Sequence, residues 1–160
     1  MEMTIRQSTG TRAAATAIAA GGLAGAAAVH ALWASGSTWP AEDYDDLADL
    51  VVGRGPFPSR PVTAVVAGLL TTASVLVVLA GTPSAAQSRI VRAGSTTVAI
   101  VLLVRGVGGL GWEAVGVGQA SEAFRFWDRR LYSPLCISLG VCATLGRRGR
   151  RCPVSWRYPV

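Results

Sequence analysis

Long runs without charge are the feature that most restricts how this chain can fold. The twenty residues from Val62 to Gly81 contain no charged side chain. Such a run is long enough to cross a hydrocarbon layer about 30 Å thick, and it is too long and too apolar for the core of a small soluble domain. Ala13–Ala34 is a second run of this kind, with His30 as its only ionisable group. Ile90–Gly111 is a third long apolar run, with Arg92 at its start and Arg105 inside it.

A fourth apolar run, Leu131–Leu145, is too short to cross a membrane alone at about 1.5 Å per residue. We expect it to extend back through Phe124–Arg130 as one helix that is kinked at Pro134, because proline removes a backbone hydrogen bond. The first run is longer than a usual signal-peptide core and three runs follow it, so we expect it to be retained. The predicted fold is all-α: an integral membrane four-helix bundle in residues 1–146, with spans at about 13–34, 62–81, 90–111 and 124–146, followed by an Arg-rich cytoplasmic tail in residues 147–160.

The distribution of arginine predicts the orientation of these spans. The chain has no lysine, and nine of its 15 arginines fall on one side of four spans: Arg6, Arg12, Arg89, Arg92, Arg147, Arg148, Arg150, Arg151 and Arg157. The positive-inside rule makes that side, and both termini, cytoplasmic. We therefore interpret the net charge of +6 as a topology signal, with membrane lipids as partners and no nucleic acid.

Acidic residues are concentrated in the first connection, which this topology places outside the cell. Five of the nine carboxylates lie within eight residues of the segment 41–50. Apolar side chains recur there at helical spacing from Tyr44 to Val51. Pro40 suits a first helical turn, and Gly53 can end a helix in the left-handed conformation. The pattern predicts a short amphipathic helix on the outer membrane surface, with its apolar side toward the bundle.

Two short acidic motifs overlap in this segment. Asp43–Asp46 reads D-x-D-D, the pattern of class II terpene cyclases, in which an aspartic acid protonates an alkene or epoxide. Asp45–Asp49 reads D-D-x-x-D, the pattern that holds magnesium and diphosphate in class I enzymes, although a second acidic motif is missing. A solvated acidic face is the alternative, since such strings arise by chance in so acidic a segment. We predict no metal and no cofactor, and we interpret Cys136, Cys142 and Cys152 as packing residues, because their spacing is not that of metal ligands.

Aromatic residues are concentrated on the same side as the acidic segment, the predicted outer side. Nine of the eleven map to the outer ends of the spans or to the outer connections: Trp33, Trp39, Tyr44, Phe57, Trp112, Phe124, Phe126, Trp127 and Tyr132. One interpretation is an aromatic belt, although belts normally mark both interfaces. The other is a lined pocket, in which each ring face stabilises a cation by about 0.5–2 kcal/mol.

Arg105 is the most informative single residue. It lies roughly 10 Å below the outer end of the third span by helical rise. A charge at this depth is costly, so we expect it to face the bundle and to pair with Glu113, Asp128 or an acid of the first connection. This ion pair either holds the helices of the bundle together or positions a catalytic acid. Glycines within 106–111 allow close approach of a helix or a ligand. His30 is expected to be hydrogen-bonded within the bundle or to shuttle protons.

Three stretches carry a resemblance to known proteins: "HALWASGSTWP" at His30–Pro40, "VVGR" at Val51–Arg54 and "WDRRLYSPLC" at Trp127–Cys136. They resemble a large family of small bacterial four-span membrane proteins of unknown function. The chain is also similar to the membrane-bound terpene cyclases of drimentine- and xiamycin-type indole sesquiterpenoid pathways in size, span number and outer acids. That resemblance implies protonation of a prenyl chain and cyclisation through carbocations, without metal or loss of diphosphate.

The leading expectation is therefore a membrane-bound cyclase that acts on an isoprenoid or prenylated indole. The candidate catalytic acids are Asp45, Asp49, Glu113 and Asp128. The candidate substrate-binding residues are His30, Trp33, Trp39, Tyr44, Arg105, Trp112, Phe126, Trp127 and Tyr132. The alternatives are a non-enzymatic lipid-binding or assembly subunit, and a small transporter whose homo-oligomer is formed through Gly21-x-x-x-Gly25.

The arginine bias leads to a prediction about topology. Cysteine substituted at Ser37 should be labelled by a membrane-impermeant reagent from outside the cell, and cysteine at Ser155 only from inside. The reverse pattern, or equal labelling of both positions from both sides, would contradict the predicted four spans with cytoplasmic termini.

Overall fold

The fold was obtained as a computed structural model, which describes the backbone of residues 2–114 and 120–147 and the side chains of residues 9–86, 88–111 and 120–147. All regular structure in these parts of the chain is helical, so the predicted all-α class is confirmed. The α-helices are α1 (Glu2–Ala34), α2 (Tyr44–Val51), α3 (Arg60–Gly81), α4 (Arg89–Ala114), α5 (Glu122–Trp127) and α6 (Ser133–Gly146). A 3₁₀ turn, Ala85–Gln87, precedes α4, and a π-helical turn, Asp128–Tyr132, joins α5 to α6.

Three helices can cross a membrane by their length and composition: Thr9–Ala34, Arg60–Gly81 and Arg89–Gly111. Between 11 % and 28 % of the residues in their most apolar stretches are buried within the chain. Large apolar side chains therefore lie exposed along them, among them Leu69 on α3 and Val104 on α4. Soluble monomers rarely expose apolar surface of this extent, so these faces fit the interior of a bilayer.

The long helices pack as a ring in chain order. α1 lies along α3 and α6, and α4 lies along α6 and α3. The core of the ring is built mainly of alanine: Ala19, Ala20, Leu23, Val77, Ala99 and Ala143. Small side chains let helix backbones approach closely, as in many membrane bundles. Cys142 packs against this core, as predicted, whereas Cys152 lies outside the described residues.

The fourth apolar run does extend backwards into a longer helical segment, as predicted. Backbone helix continues from Glu122 through α5, the π-helical turn and α6 to Gly146, and we call this stretch the fourth segment. Its irregularity lies in the π-helical turn that ends immediately before Ser133 and Pro134. The Ser133 N–H donates to the carbonyl of Asp128, five residues earlier. Since Pro134 has no N–H to donate, the helix changes its hydrogen-bonding register just ahead of that residue.

Helix α2 confirms the predicted amphipathic helix but starts later than expected. The sequence pattern placed Pro40 in its first turn, whereas the helix begins at Tyr44 with Asp43 as its N-cap. An aspartate cap stabilises the helix because its side chain satisfies free N–H groups of the first turn. At the other end Gly53 has φ of +84°, the left-handed conformation that was predicted for it.

Glycines let α4 and α6 approach closely. A Cβ atom at Gly106 would lie 2.8 Å from the carbonyl oxygen of Ser133 and 2.9 Å from the nitrogen of Ile137. Gly140 likewise faces Leu103 across the same contact. A Cβ at Gly108 would meet no atom within 4 Å, so this glycine is not needed for packing within the chain.

The predicted helix-packing motif on α1 is turned away from the ring. Cβ atoms added at Gly21 and Gly25 would meet nothing within 4 Å. The surface is therefore unused within the chain, and self-association through it stays a prediction.

Gly106 lies in the close contact with α6 and Gly108 does not, so these two positions on α4 give a matched pair of variants. Gly106→Ala should lower the free energy of unfolding by about 1–3 kcal/mol, because the added methyl group forces α4 and α6 apart. Gly108→Ala should leave it unchanged or raise it by up to about 1 kcal/mol through helix propensity. Thermal unfolding of the two variants in detergent measures the difference, and equal midpoints would contradict the close α4–α6 contact.

Candidate functional site

Polar and aromatic residues collect at one end of the helix ring, where α1 finishes and α2 begins and where α4 leads towards α5. We call this the α2 end. It contains all four predicted catalytic acids and every predicted substrate-binding residue, because α2, the close of α1, the close of α4 and the beginning of the fourth segment all lie there.

The acids of α2 are turned to the exterior. Leu47 and Ala48 form its buried side, with exposures of 0 % and 2 %. Asp45 and Asp49, two of the predicted catalytic acids, are exposed. Asp43 has a structural task, since its Oδ1 accepts hydrogen bonds from the N–H groups of Asp45 and Asp46, each at 2.9 Å. This exposure is compatible with the alternative of a solvated acidic face, and a catalytic role of these acids stays a prediction.

The carboxyl end of α2 is held by the fourth segment and by Ser121, the N-cap residue that precedes it. Ser121 donates its backbone N–H to the Gly53 carbonyl at 2.6 Å and its hydroxyl to the Asp49 carbonyl. The phenol of Tyr132 donates to the Leu50 carbonyl at 3.4 Å. Carbonyls at the end of a helix have no partner within it, so these donors fasten α2 to the fourth segment. The ring of Phe124 fills the space that a side chain at Gly53 would need.

An aromatic chain runs from α1 to α2. The rings of His30 and Trp33 meet edge to face at a centroid distance of 5.0 Å, and Trp33 and Phe57 meet similarly at 5.9 Å. Phe57 also contacts Tyr44 at 5.9 Å. Trp33 is buried, and its indole N–H donates to the carbonyl of Trp39 at 2.7 Å. These rings pack the α2 end from within.

His30 is hydrogen-bonded inside its own helix. Its Nδ1 lies 2.8 Å from the Ala26 carbonyl, one turn earlier, so that nitrogen carries the proton and donates. The contact fits the predicted hydrogen-bonded bundle residue.

Other aromatic residues face outward. Phe126, Trp127 and Trp39 are exposed by 47 %, 41 % and 61 %. Phe126 and Trp127 meet at 5.5 Å, and the guanidinium of Arg130 lies 4.2 Å from the centre of the Phe126 ring. The amphipathic rings of Trp39 and Trp127 are typical of a membrane interface. The α2 end thus combines an inner aromatic cluster with outward-facing rings.

The centre of the site is a three-residue cluster that we call the Asp128 cluster: Arg105, Asp128 and Ser133. Arg105 Nη2 donates to Asp128 Oδ1 at 2.6 Å, and the Ser133 hydroxyl donates to Asp128 Oδ2 at 2.9 Å. The Asp128 side chain is only 4 % exposed, whereas that of Arg105 is 42 % exposed. The predicted pairing of Arg105 with a carboxylate is confirmed, with Asp128 as the partner. The arginine lies at the edge of the ring rather than fully inside it.

Gly109 makes room for this cluster. A Cβ atom there would lie 2.5 Å from Asp128 Oδ2 and 2.6 Å from Arg105 Nη1, and it would also collide with the Ser133 hydroxyl. The polar groups therefore occupy the volume that a side chain at Gly109 would take. Neither Gly109 nor Ser133 was among the predicted site residues. The sequence signal that could have identified Ser133 is its position before Pro134, five residues after Asp128.

The structure brings together only some of the predicted site residues. Arg105 and Asp128 meet, as do His30, Trp33 and Tyr44 through Phe57. The side chains of Trp112 and Glu113 lie outside the described residues. Among the described residues, no group of three or more His, Cys, Asp or Glu side chains is placed to hold a metal ion.

These features define an all-helical protein with helices that can cross a membrane and a polar cluster at one end. The chain belongs to the DUF3995 family, described as proteins of unknown function, whose model matches residues 8–143. No curated protein and no solved structure matches the chain. The predicted membership of a family of unknown function is confirmed, and the similarity to membrane-bound terpene cyclases finds no support in these comparisons.

The Asp128 cluster leads to a prediction about stability. Asp128→Asn should lower the free energy of unfolding by about 1–3 kcal/mol, because Arg105 then loses its charged partner. Adding Arg105→Gln should restore part of the loss, since no unpaired charge remains. Thermal unfolding in detergent measures this cycle, with the exposed Asp46→Asn as the control. Strictly additive losses in the double variant would argue against a coupled pair.

Proposed function

We propose that the protein is a four-span membrane protein with cytoplasmic termini and with α2 on the outer surface. The arginine bias and the exposed apolar faces of α1, α3 and α4 support this arrangement. The fourth span would be the fourth segment, whose 25 residues from Glu122 to Gly146 measure about 37 Å at about 1.5 Å per residue.

The charges of the fourth segment are compatible with this proposal. Five charged residues lie between Glu122 and Arg130, and none lies in α6. Asp128 is neutralised by Arg105. Long arginine side chains near the end of a span can reach the interface while their methylene groups stay in apolar surroundings.

We further propose that the α2 end binds the polar end of a lipophilic molecule from the outer leaflet. The observation that carries this proposal is the Asp128 cluster, a buried carboxylate joined to a partly exposed guanidinium that lies in the apolar stretch of α4. Ionisable groups at such depth are costly and usually serve a ligand or a pathway. Val101 lies one helical turn below Arg105 and is exposed, so an apolar chain could continue along α4.

Acid-initiated cyclisation of a prenyl chain is the second candidate function. It is favoured by one observation: Asp128 is a buried carboxyl group close in sequence to Phe124 and Tyr132, whose tilted rings lie 6.1 Å apart between centroids. In that reaction a carboxylic acid would add its proton to an alkene or epoxide. The resulting cation would close a ring and then return a proton to the enzyme. Both Asp128 oxygens already accept hydrogen bonds, so Asp128 would have to release a partner and take up a proton before it could donate that proton to the substrate. Glu113 is the other candidate donor near the cluster in sequence.

Binding is tested by identifying what the purified protein carries. Protein extracted in a mild detergent should retain a lipophilic molecule at higher abundance than in the bulk membrane extract, as measured by mass spectrometry. Retention should fall at least several-fold in the double variant Arg105→Gln with Asp128→Asn and stay unchanged in Asp46→Asn. Equal retention by all three proteins would contradict binding at the Asp128 cluster.

A second assay, in membranes that contain the protein, separates binding from catalysis. Membranes supplied with prenylated indoles and their epoxides are analysed for isomerised products. A cyclase should lose turnover when its donor is replaced, so Asn variants of Asp43, Asp45, Asp46, Asp49 and Asp128 and the Gln variant of Glu113 are compared. No product with the unmodified protein, or full activity in all six variants, would exclude acid-initiated catalysis from this end.

A further inference from the structure

Arg105 makes few of the hydrogen bonds that its side chain can make. A guanidinium carries five N–H donors. Among the residues whose side chains the structure describes, Arg105 has one acceptor, Oδ1 of Asp128. Its Nη1 lies over the backbone of Gly109, where a Cβ would be 2.6 Å away. The side chain of Arg105 is 42 % exposed, so part of it lies open to the outside of the helix ring.

Those donors lie at a depth where water is scarce if α4 spans the membrane. Arg105 lies six residues before Gly111, the end of the third span predicted from the sequence, and this corresponds to about 9 Å of helix. A polar group in such surroundings costs free energy unless it finds a hydrogen-bond partner. The surroundings therefore favour an additional acceptor for Arg105.

The surface around Arg105 leaves room for that acceptor. Gly108 lies one turn above it on the same side of α4, and a Cβ there would meet no atom within 4 Å. Val101, one turn below, is 59 % exposed. A lipophilic molecule can therefore lie against α4 with an apolar part on Val101 and a polar atom at Arg105.

The charge of the cluster decides the kind of acceptor. Asp128 already supplies one negative charge to Arg105 at 2.6 Å, so the pair is neutral as a unit. A second anion in an apolar surrounding would be repelled by the Asp128 carboxylate and would carry its own desolvation cost. A neutral oxygen atom satisfies the free N–H donors without either cost.

We infer that Arg105 binds a neutral oxygen acceptor, such as a hydroxyl, carbonyl or epoxide oxygen, at the end of a lipophilic molecule. This inference rests on the proposed binding function and specifies its ligand class. The oxygen belongs either to a separate ligand or to the ester carbonyl of a bilayer lipid, which has the same chemistry.

Three probes with the same isoprenoid chain test the inference: farnesol, farnesyl phosphate and the hydrocarbon farnesene. Each competes with a photo-crosslinkable farnesol analogue for the protein in nanodiscs of ether-linked phospholipid. Farnesol should bind at least ten-fold more tightly than farnesene, and farnesyl phosphate no more tightly than farnesol.

The double variant Arg105→Met with Asp128→Asn removes the donors without leaving an unpaired charge. The double variant should bind farnesol as weakly as it binds farnesene. Its affinity for farnesene should equal that of the unmodified protein. Asp46→Asn is the matched control and should retain the ten-fold preference. The affinity for farnesene also reports whether the apolar contact surface of the double variant is intact.

The outcomes separate the inference from the proposed function. Equal binding of farnesol and farnesene by the unmodified protein would overturn the inference and leave lipophile binding in place. Tighter binding of the phosphate, or a preference for farnesol that persists in the double variant, would also overturn it. Failure to bind any of the three would overturn both proposals.

A second set of nanodiscs identifies the source of the oxygen. Weaker farnesol binding in ester-linked than in ether-linked phospholipid would assign the site to the carbonyl of a bilayer lipid. Equal binding would assign it to a separate ligand. Both results support a neutral oxygen at Arg105.

Discussion

Arg105 and Asp128 carry opposite charges on neighbouring helical segments, and each charge would be costly alone in apolar surroundings. Their contact at 2.6 Å determines how the fourth segment must sit against α4. The backbone adapts to it on both sides: Gly109 leaves space for the polar groups, and Ser133 donates its hydroxyl to the second oxygen of Asp128. The π-helical turn, Asp128–Tyr132, lies within the same contact. π-Helical turns are often found at functional sites.

The α2 end is held together by connections that are independent of this ion pair. Ser121 and Tyr132 donate to carbonyls at the end of α2, and Trp33 donates to the carbonyl of Trp39. The short α2 helix therefore has hydrogen bonds to the fourth segment in addition to its own cap at Asp43. An eight-residue helix is marginal in isolation, so these contacts and the buried Leu47 position it.

The features that depend on length and local pattern were predictable from the sequence. Charge-free runs identify α3 and the apolar part of α1, and the spacing of Tyr44–Val51 together with Gly53 identifies α2. The pairing of Arg105 was predictable as a class of contact, since a charge at that depth needs a partner. That Asp128 is a partner of Arg105 depends on how α4 and the fourth segment pack, and no local pattern encodes it.

The predictions about individual site residues depended on the direction in which each side chain points. Composition does not contain that information. The D-x-D-D and D-D-x-x-D strings have the same letters whether their carboxylates face a cavity or the exterior. The side of α2 that is buried fixes the direction of these carboxylates. Leu47 and Ala48 form that side, and their burial turns Asp45 and Asp49 outward. The aromatic residues divide similarly, with Trp33 inside and Phe126 outside. For the start of α2, the side-chain cap of Asp43 outweighed the preference of Pro40 for a first turn.

The position of Asp128 late in the chain has a consequence for biogenesis. Each charged residue near the middle of a span adds about 2.5–3.5 kcal/mol to the free energy of its insertion. α1, α3 and α4 are apolar enough to enter the bilayer one after another as they are synthesised, whereas the fourth segment carries five charges. Arg105, the partner of Asp128, lies in α4, which leaves the ribosome before the fourth segment does. Under the proposed four-span arrangement, the fourth segment can be integrated by docking onto α4, which is already in place, and the order of synthesis matches the order in which the charges can be neutralised.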